Sequence, residues 1–132
     1  MLIIALPHTT ASEFAFALSD GQSVLRSSSA AAAGLPLHAG EVVAVVPHTR
    51  LSWLQVQLPP GSHGARLDAV IQGLLEDRLL DDLSQLLCVL PAEGASQAKA
   101  GGPCVVAVCD ASWLRQSLAP LQAAGLTVQR LV

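Results

Sequence analysis

Leu67, Val70, Ile71, Leu74, Leu75 and Leu79 recur every three or four residues, the spacing that lines one side of an α-helix with apolar side chains. The spacing predicts a helix over 65–80, with Asp68, Gln72 and Glu76 stepping by four along a wet face. A stripe that apolar must be covered by a second layer. Strands are predicted on both sides of it. In Leu51–Leu58, Ser52, Leu54, Val56 and Leu58 point one way and Leu51, Trp53, Gln55 and Gln57 the other, before Pro59-Pro60-Gly61 ends the run. Leu86–Leu90 and Cys104–Cys109 read as further strands, the second of them buried, with a loop rich in Ala, Gly and Ser over 93–102. Asp110 is placed to cap a second helix that carries Leu114, Leu118 and Leu121 inward and stops at Gly125. Pro120 should kink or locally break that helix, and Thr127–Val132 is a last strand. The order over 51–132 is thus β-α-β-β-α-β, the split pattern of ferredoxin-like layers.

Residues 1–50 read as a β-rich first part. Leu2–Leu6, Phe14–Leu18 and Ser23–Arg26 form a small antiparallel meander over 2–28, with the turn at Asp20-Gly21. Ser27–Ala33 is a connector of small residues. Glu41–Val46, β-branched apart from its alanine and first residue, has the pattern of a strand buried on both faces. The fold class is therefore mixed α/β. The chain stops inside its last predicted strand, which points to one part of something longer.

Charge is sparse and concentrated. Charged residues make up 13% of the 132, against about 25% in ordinary soluble domains, and 52% are hydrophobic. Such a chain either exposes apolar surface that a partner covers or is simply a compact alanine-rich domain. Glu76, Asp77, Asp81 and Asp82 less Arg78 give −3, which equals the net charge of the whole chain. This acidic knot either keeps an apolar protein in solution or docks a basic partner. No run reaches the roughly 18–20 apolar residues of a membrane span. The opening Met-Leu-Ile-Ile-Ala-Leu has no basic region before it, unlike a secretory signal. A pI near 5.7 without a basic stripe argues against nucleic acid, and three cysteines suggest reduced thiols.

Catalytic constellations are missing from the sequence. His8, His38, His48 and His63 are dispersed beside turns, and none has a second ligand at metal spacing. Cys104 and Cys109, five apart on one strand, face opposite ways, and no histidine is placed to activate Cys109. Cys88 reads as core and Trp113 as packing. No glycine run could cradle a phosphate. Trp53 shares a strand face with two glutamines, so it is either covered by another element or an exposed aromatic anchor. No cofactor and no metal are expected.

Four segments in order resemble one family. Leu75-Glu76-Asp77-Arg78-Leu79 with Asp81-Asp82-Leu83 looks like the L-E-E-x-L-x-x-D segment of the type II secretion protein L family. Val42–Pro47 is similar to its V-V-x-V-V-P strand and Leu54–Pro59 to its L-x-x-v-x-L-P strand. Val105–Val108, the helix after it and Ala124-Gly125-Leu126 resemble V-A-V-V … A-L-x-x-A-G-L. The resemblance covers about residues 41–132; the related pilus assembly protein M family shares the element order.

The resemblance implies an actin-like, ribonuclease-H-type cytoplasmic region of an inner-membrane protein, of which this chain would be the N-terminal part. The remainder would hold the other lobe, a membrane helix and a periplasmic domain. It also implies partners: the N-terminal domain of the secretion ATPase, the M-type platform protein and a second copy. The implied role is a non-enzymatic scaffold, with Glu76, Asp77, Arg78, Asp81, Asp82 and Trp53 as candidate contact residues. The alternatives are a nucleotide-binding actin-like module or a type IV pilus M-like scaffold. Against nucleotide hydrolysis, Leu6-Pro7-His8-Thr9-Thr10 after the first strand holds neither the Asp nor the Gly that actin-like ATPases place there.

Overall fold

The Asp20-Gly21 turn joins two strands, as the sequence indicates. In the computed structural model, which describes residues 1–9, 12–37, 40–62, 65–76, 78, 83–90 and 100–132, the Asp20 carboxylate accepts the backbone N–H groups of Gln22 (2.9 Å) and Ser23 (2.8 Å). Those bonds hold its carboxyl below the usual range. Strands β1 (Leu2–Ala5), β2 (Phe14–Ser19) and β3 (Val24–Ala30) form the expected meander. β3 runs further than predicted. Ser27–Ala30, expected as connector, continues the ladder opposite Ala17–Phe14, and only Ala32–Gly34 forms a single 3-10 turn.

The structure divides into two compact units, Met1–Arg50 with Trp113–Val132 and Leu51–Ser112. In the first, β4 (Val42–Val45) runs parallel to β1, and β8 (Arg130–Leu131) runs parallel to β4. The sheet order is β3-β2-β1-β4-β8. Leu2, Ile4, Phe14, Phe16 and Ala44 are buried, and Val42 and Val43 are buried on opposite faces of β4. The helix α2 (Ala111–Ala123) continues through Pro120, with Trp113, Leu114 and Leu121 buried. Its start is capped as predicted, Asp110 Oδ1 accepting the Ser112 N–H at 2.8 Å. Its end is a two-bond Schellman closure: Gly125 N–H to Gln122 O and Leu126 N–H to Leu121 O, both 3.0 Å. Gly125 sits at φ +85°, where a side chain would be strained.

The last strand belongs to this sheet, which corrects the expected grouping of 51–132. β4 has β1 on one side; its other edge would leave buried backbone groups unpaired. Residues 129–132 supply the partners: Gln129 N–H to Val42 O (3.0 Å), Val132 N–H to Ala44 O (2.9 Å) and Val46 N–H to Val132 O (2.8 Å). The Gln129 side chain completes the set by accepting the Val42 N–H at 2.6 Å.

The second unit is an excursion between β4 and α2. It pairs β5 (Ser52–Leu58), β7 (Gly102–Asp110) and β6 (Leu86–Val89) in the order β5-β7-β6, with β7 antiparallel to both neighbours. It is a three-stranded sheet, one strand fewer than the split pattern predicts. Helix α1 (Ala65–Glu76) lays its stripe on one sheet face. Ile71 and Leu75 are buried with Val56, Leu58, Cys104, Val106 and Val108, and Leu67, Val70 and Leu74 flank them. Asp68, Gln72 and Glu76 are exposed, as their spacing indicates. The predicted last helical turn, residues 77 and 79–80, lies outside the described residues, as does most of the 93–102 loop. At the loop's end Gly101 (φ +75°) lets the chain pass β5 closely: a Cβ there would stand 2.8 Å from Pro60 N and 2.9 Å from Leu58 O. Among the described residues no helix is long and apolar enough to cross a membrane.

Leu75→Ala should cost about 2–5 kcal/mol, because its side chain is fully buried and the cavity is lined by strands that cannot collapse onto it. Gln72→Ala, on the wet face of the same helix, should stay within about 0.5 kcal/mol. Urea unfolding of both variants checks the assignment; equal losses would overturn it.

Candidate functional site

Glu76 closes α1 with its side chain exposed. Asp77, Asp81 and Asp82 lie outside the described residues. Arg78 has a structural task. Its Nη1 donates to the backbone carbonyl of Gln55, and its own N–H donates to Leu75 O at 3.0 Å. Among the described residues β5 pairs on one side only, with β7, so this guanidinium occupies an acceptor that an edge strand otherwise leaves to water. Arg78 therefore joins the end of α1 to the strand that carries Trp53.

Trp53 is not covered by another element: it is 58% accessible. Its strand face is the one opposite α1. Cross-strand register places Trp53 beside Ala107, and Ala107 beside Val89. Val89 (48%), Val105 (43%) and Leu87 (39%) are exposed on the same face. Sequence reasoning missed these three. The apolar run Cys104–Cys109 reads as a strand buried on both faces, yet only Cys104, Val106 and Val108 meet α1, and Val105 stands open. The available signal was Trp53 itself: a strand paired to its outer face shares that face's exposure.

His38 and His63 lie outside the described residues. Among the described residues no three His, Cys, Asp or Glu side chains could hold a metal ion. Cys104 and Cys109 are buried on opposite faces of β7, and Cys88 is half-buried. Burial pushes the Cys88 thiol up; burial, then Asp110 and Cys88, push that of Cys109 up. The loop after β1 is held by its own neighbours. His8 Nδ1 meets Thr49 Oγ1 at 2.6 Å, and Arg50 Nε donates to His8 O at 2.7 Å. Arg50 also covers the buried Trp113, 5.2 Å from its ring centroid. The depression beside β4 is lined by Leu37, Gly40, Val42, Gly125, Thr127 and Gln129, none of them ionisable.

The described residues present a surface rather than a pocket of reactive groups: an apolar sheet face with Trp53, Leu87, Val89 and Val105 exposed, and an exposed Glu76 at the end of α1. The family model for type II secretion system (T2SS) protein L matches residues 2–132. The chain belongs to the T2SS protein L family. Among solved structures, the cytoplasmic domain of EpsL, an inner-membrane component of the type II secretion system of Vibrio cholerae, has a similar fold, with a TM-score of 0.69 and 24% identity. That match covers 98% of this chain and 55% of that one. The PilM–PilN type IV pilus biogenesis complex matches with a TM-score of 0.61 and 14% identity, over 98% of this chain and 46% of that one. What these likenesses show is the fold alone, a mixed α/β architecture that among the described residues has two sheets and two α-helices. This protein L chain spans about half the length of either structure. No curated protein matches it.

The raised thiol pKa values have a sign that can be tested. A raised pKa lowers the thiolate fraction at any given pH, and the thiolate is the nucleophile. Iodoacetamide should therefore label Cys88 and Cys109 in the folded protein L chain more slowly than after unfolding in urea. The folded rate should inflect at higher pH; mass spectrometry of labelled peptides reads both.

Proposed function

We propose that this chain is the N-terminal part of the cytoplasmic, actin-like region of a type II secretion protein L. In this role it is a non-enzymatic scaffold that recruits the cytoplasmic secretion ATPase to the inner-membrane platform. The family match over residues 2–132 carries the proposal. The likeness to the cytoplasmic domain of EpsL, an inner-membrane component, supports the location. The sheet order β3-β2-β1-β4-β8, with β2 antiparallel and β1, β4 and β8 parallel, supports the ribonuclease-H-type reading. Leu6–Thr10, just after β1, has neither Asp nor Gly, and His8 is tied to Thr49 and Arg50, which supports a scaffold over a hydrolase. Platform protein M and a second copy would meet other parts of the longer protein, which would also hold the membrane span.

In this reading Glu76, Asp77, Asp81 and Asp82 are the acidic contact residues, and the exposed Trp53 is the apolar one. Arg78 acts as a positioning residue through Gln55. Titration of the N-terminal domain of the cognate secretion ATPase onto the chain should show binding that weakens with salt. Reversing the four acids to lysine should weaken it by about tenfold at low salt, or about 1.4 kcal/mol, and flatten the salt dependence. No binding to the unaltered chain would overturn recruitment. Binding indifferent to the four reversals would overturn the acidic contact alone.

A further inference from the structure

We infer that Asp20-Gly21 is a spontaneous modification site, an isoaspartate-forming pair that the folded hairpin between β2 and β3 keeps closed. The chain has no asparagine, and Asp20 is its one aspartate followed by glycine. The pair is reactive for a reason of shape. Glycine puts no side chain beside its own nitrogen, so the Gly21 amide nitrogen can reach the Asp20 carboxyl carbon. Both residues are exposed, and a Cβ at Gly21 would meet nothing within 4 Å.

The reaction needs no partner and no oxidant. The Gly21 nitrogen bonds to Asp20 Cγ and gives its proton to solvent; the carboxyl OH leaves as water with a proton from solvent, closing a succinimide ring. Water then opens the ring at either carbonyl. Cleavage of the new bond to Cγ returns aspartate. Cleavage of the bond to the main-chain carbonyl carbon leaves isoaspartate, in which the chain runs through Cβ and Cγ. The composition is unchanged, but the backbone is one carbon longer and the free carboxylate stands on Cα.

In the folded turn both reacting groups are engaged elsewhere. Gly21 N–H donates to Ser19 Oγ at 3.0 Å, and that hydroxyl donates in turn to Ser23 O at 2.9 Å. Asp20 Oδ1 accepts the N–H groups of Ser23 (2.8 Å) and Gln22 (2.9 Å), and the Ser23 hydroxyl stands 3.3 Å from Oδ2. Ring closure requires the carboxyl to leave those amides and become neutral, and Gly21 N–H to give up its acceptor. The position of the turn decides how often that happens. β3 is an edge strand among the described residues, exposed from Val24 to Ser29, and its ladder to β2 shifts register at Leu18/Ser19, directly before the pair. Exposed backbone bonds and few buried contacts put a segment at the low end of local stability, so fraying of this hairpin releases the pair. Isoaspartate cannot restore the turn, because the extra carbon lies between two strands whose register it must hold. β2 carries the buried Phe14 and Phe16, so the change reaches the core of the first unit.

Incubation of the full chain in heavy-oxygen water tests the site, because each succinimide that opens takes up one solvent oxygen. Mass spectrometry of the peptide 1–26, released by cleavage after Arg26, reads the label. Label should accumulate at residue 20 roughly tenfold faster in urea than in the folded chain, the size that two modest hydrogen bonds supply. Ser19→Ala, which removes the acceptor of Gly21 N–H, should speed labelling of the folded chain about threefold with the circular dichroism spectrum and the urea rate unchanged. Asp20→Glu, whose longer side chain closes a larger ring far more slowly, should abolish the label in urea. No label at residue 20 of the unaltered chain in urea overturns the site. Equal rates in urea and in the folded chain overturn the protection, and an unchanged folded rate in Ser19→Ala overturns the part given to that hydroxyl. An isoaspartyl chain that keeps the urea midpoint of the unmodified one overturns the consequence for the core.

Discussion

The parallel pairing of β4 on both its edges is the constraint on which the first unit depends. Val42–Val45 is flanked by β1 and β8 and has buried side chains on both faces, so each of its backbone groups must find a protein partner. β8 is described over only two residues, yet four bonds join 129–132 to 42–46, one of them through the Gln129 side chain. The Schellman closure of α2 puts buried Leu126 beside buried Leu121 and turns the chain toward that edge. A strand short enough to look incidental thus completes the sheet.

The parts legible in the sequence are those governed by local periodicity. The alternation in Leu51–Leu58, the stripe on α1 from Leu67 to Leu75, the Asp20-Gly21 turn, the Asp110 cap and the Gly125 stop all reflect interactions within a few residues, and each stands where the pattern places it. Strand partnership is different in kind. Thr127–Val132 reads equally well as the fourth strand of the second unit, because nothing in its residues names the edge it will join; the open edge of β4, some 87 residues earlier, decides that. The length of β3 was hidden for a related reason: Ser27–Ala30 has little strand propensity, and pairing with the apolar β2 extends it.

The candidate surface was half legible. Trp53 and the acidic residues stand out by composition, but Arg78 looks in sequence like one more docking charge. Its guanidinium instead covers a carbonyl on the edge of β5. One residue thereby blunts an edge open to unwanted strand pairing and joins the helix end to the sheet. Val89, Val105 and Leu87 were concealed by a hydrophobic run that resembles burial on both sides. A strand whose two faces are both apolar is consistent with a core or with an interface, and only neighbours resolve which.

The excursion between β4 and α2 has a consequence for synthesis. Every strand of the second unit lies within residues 52–110, so its sheet can close once that stretch has left the ribosome. The first sheet cannot: β1, β2, β3 and β4 emerge early, but the free edge of β4 waits until residue 132. The order of birth is therefore inverted relative to the order of residues, the inner unit maturing before the outer one that encloses it in sequence. During that interval the edge of β4 lacks the partners that residues 129–132 supply, and its backbone groups stay unpaired by them.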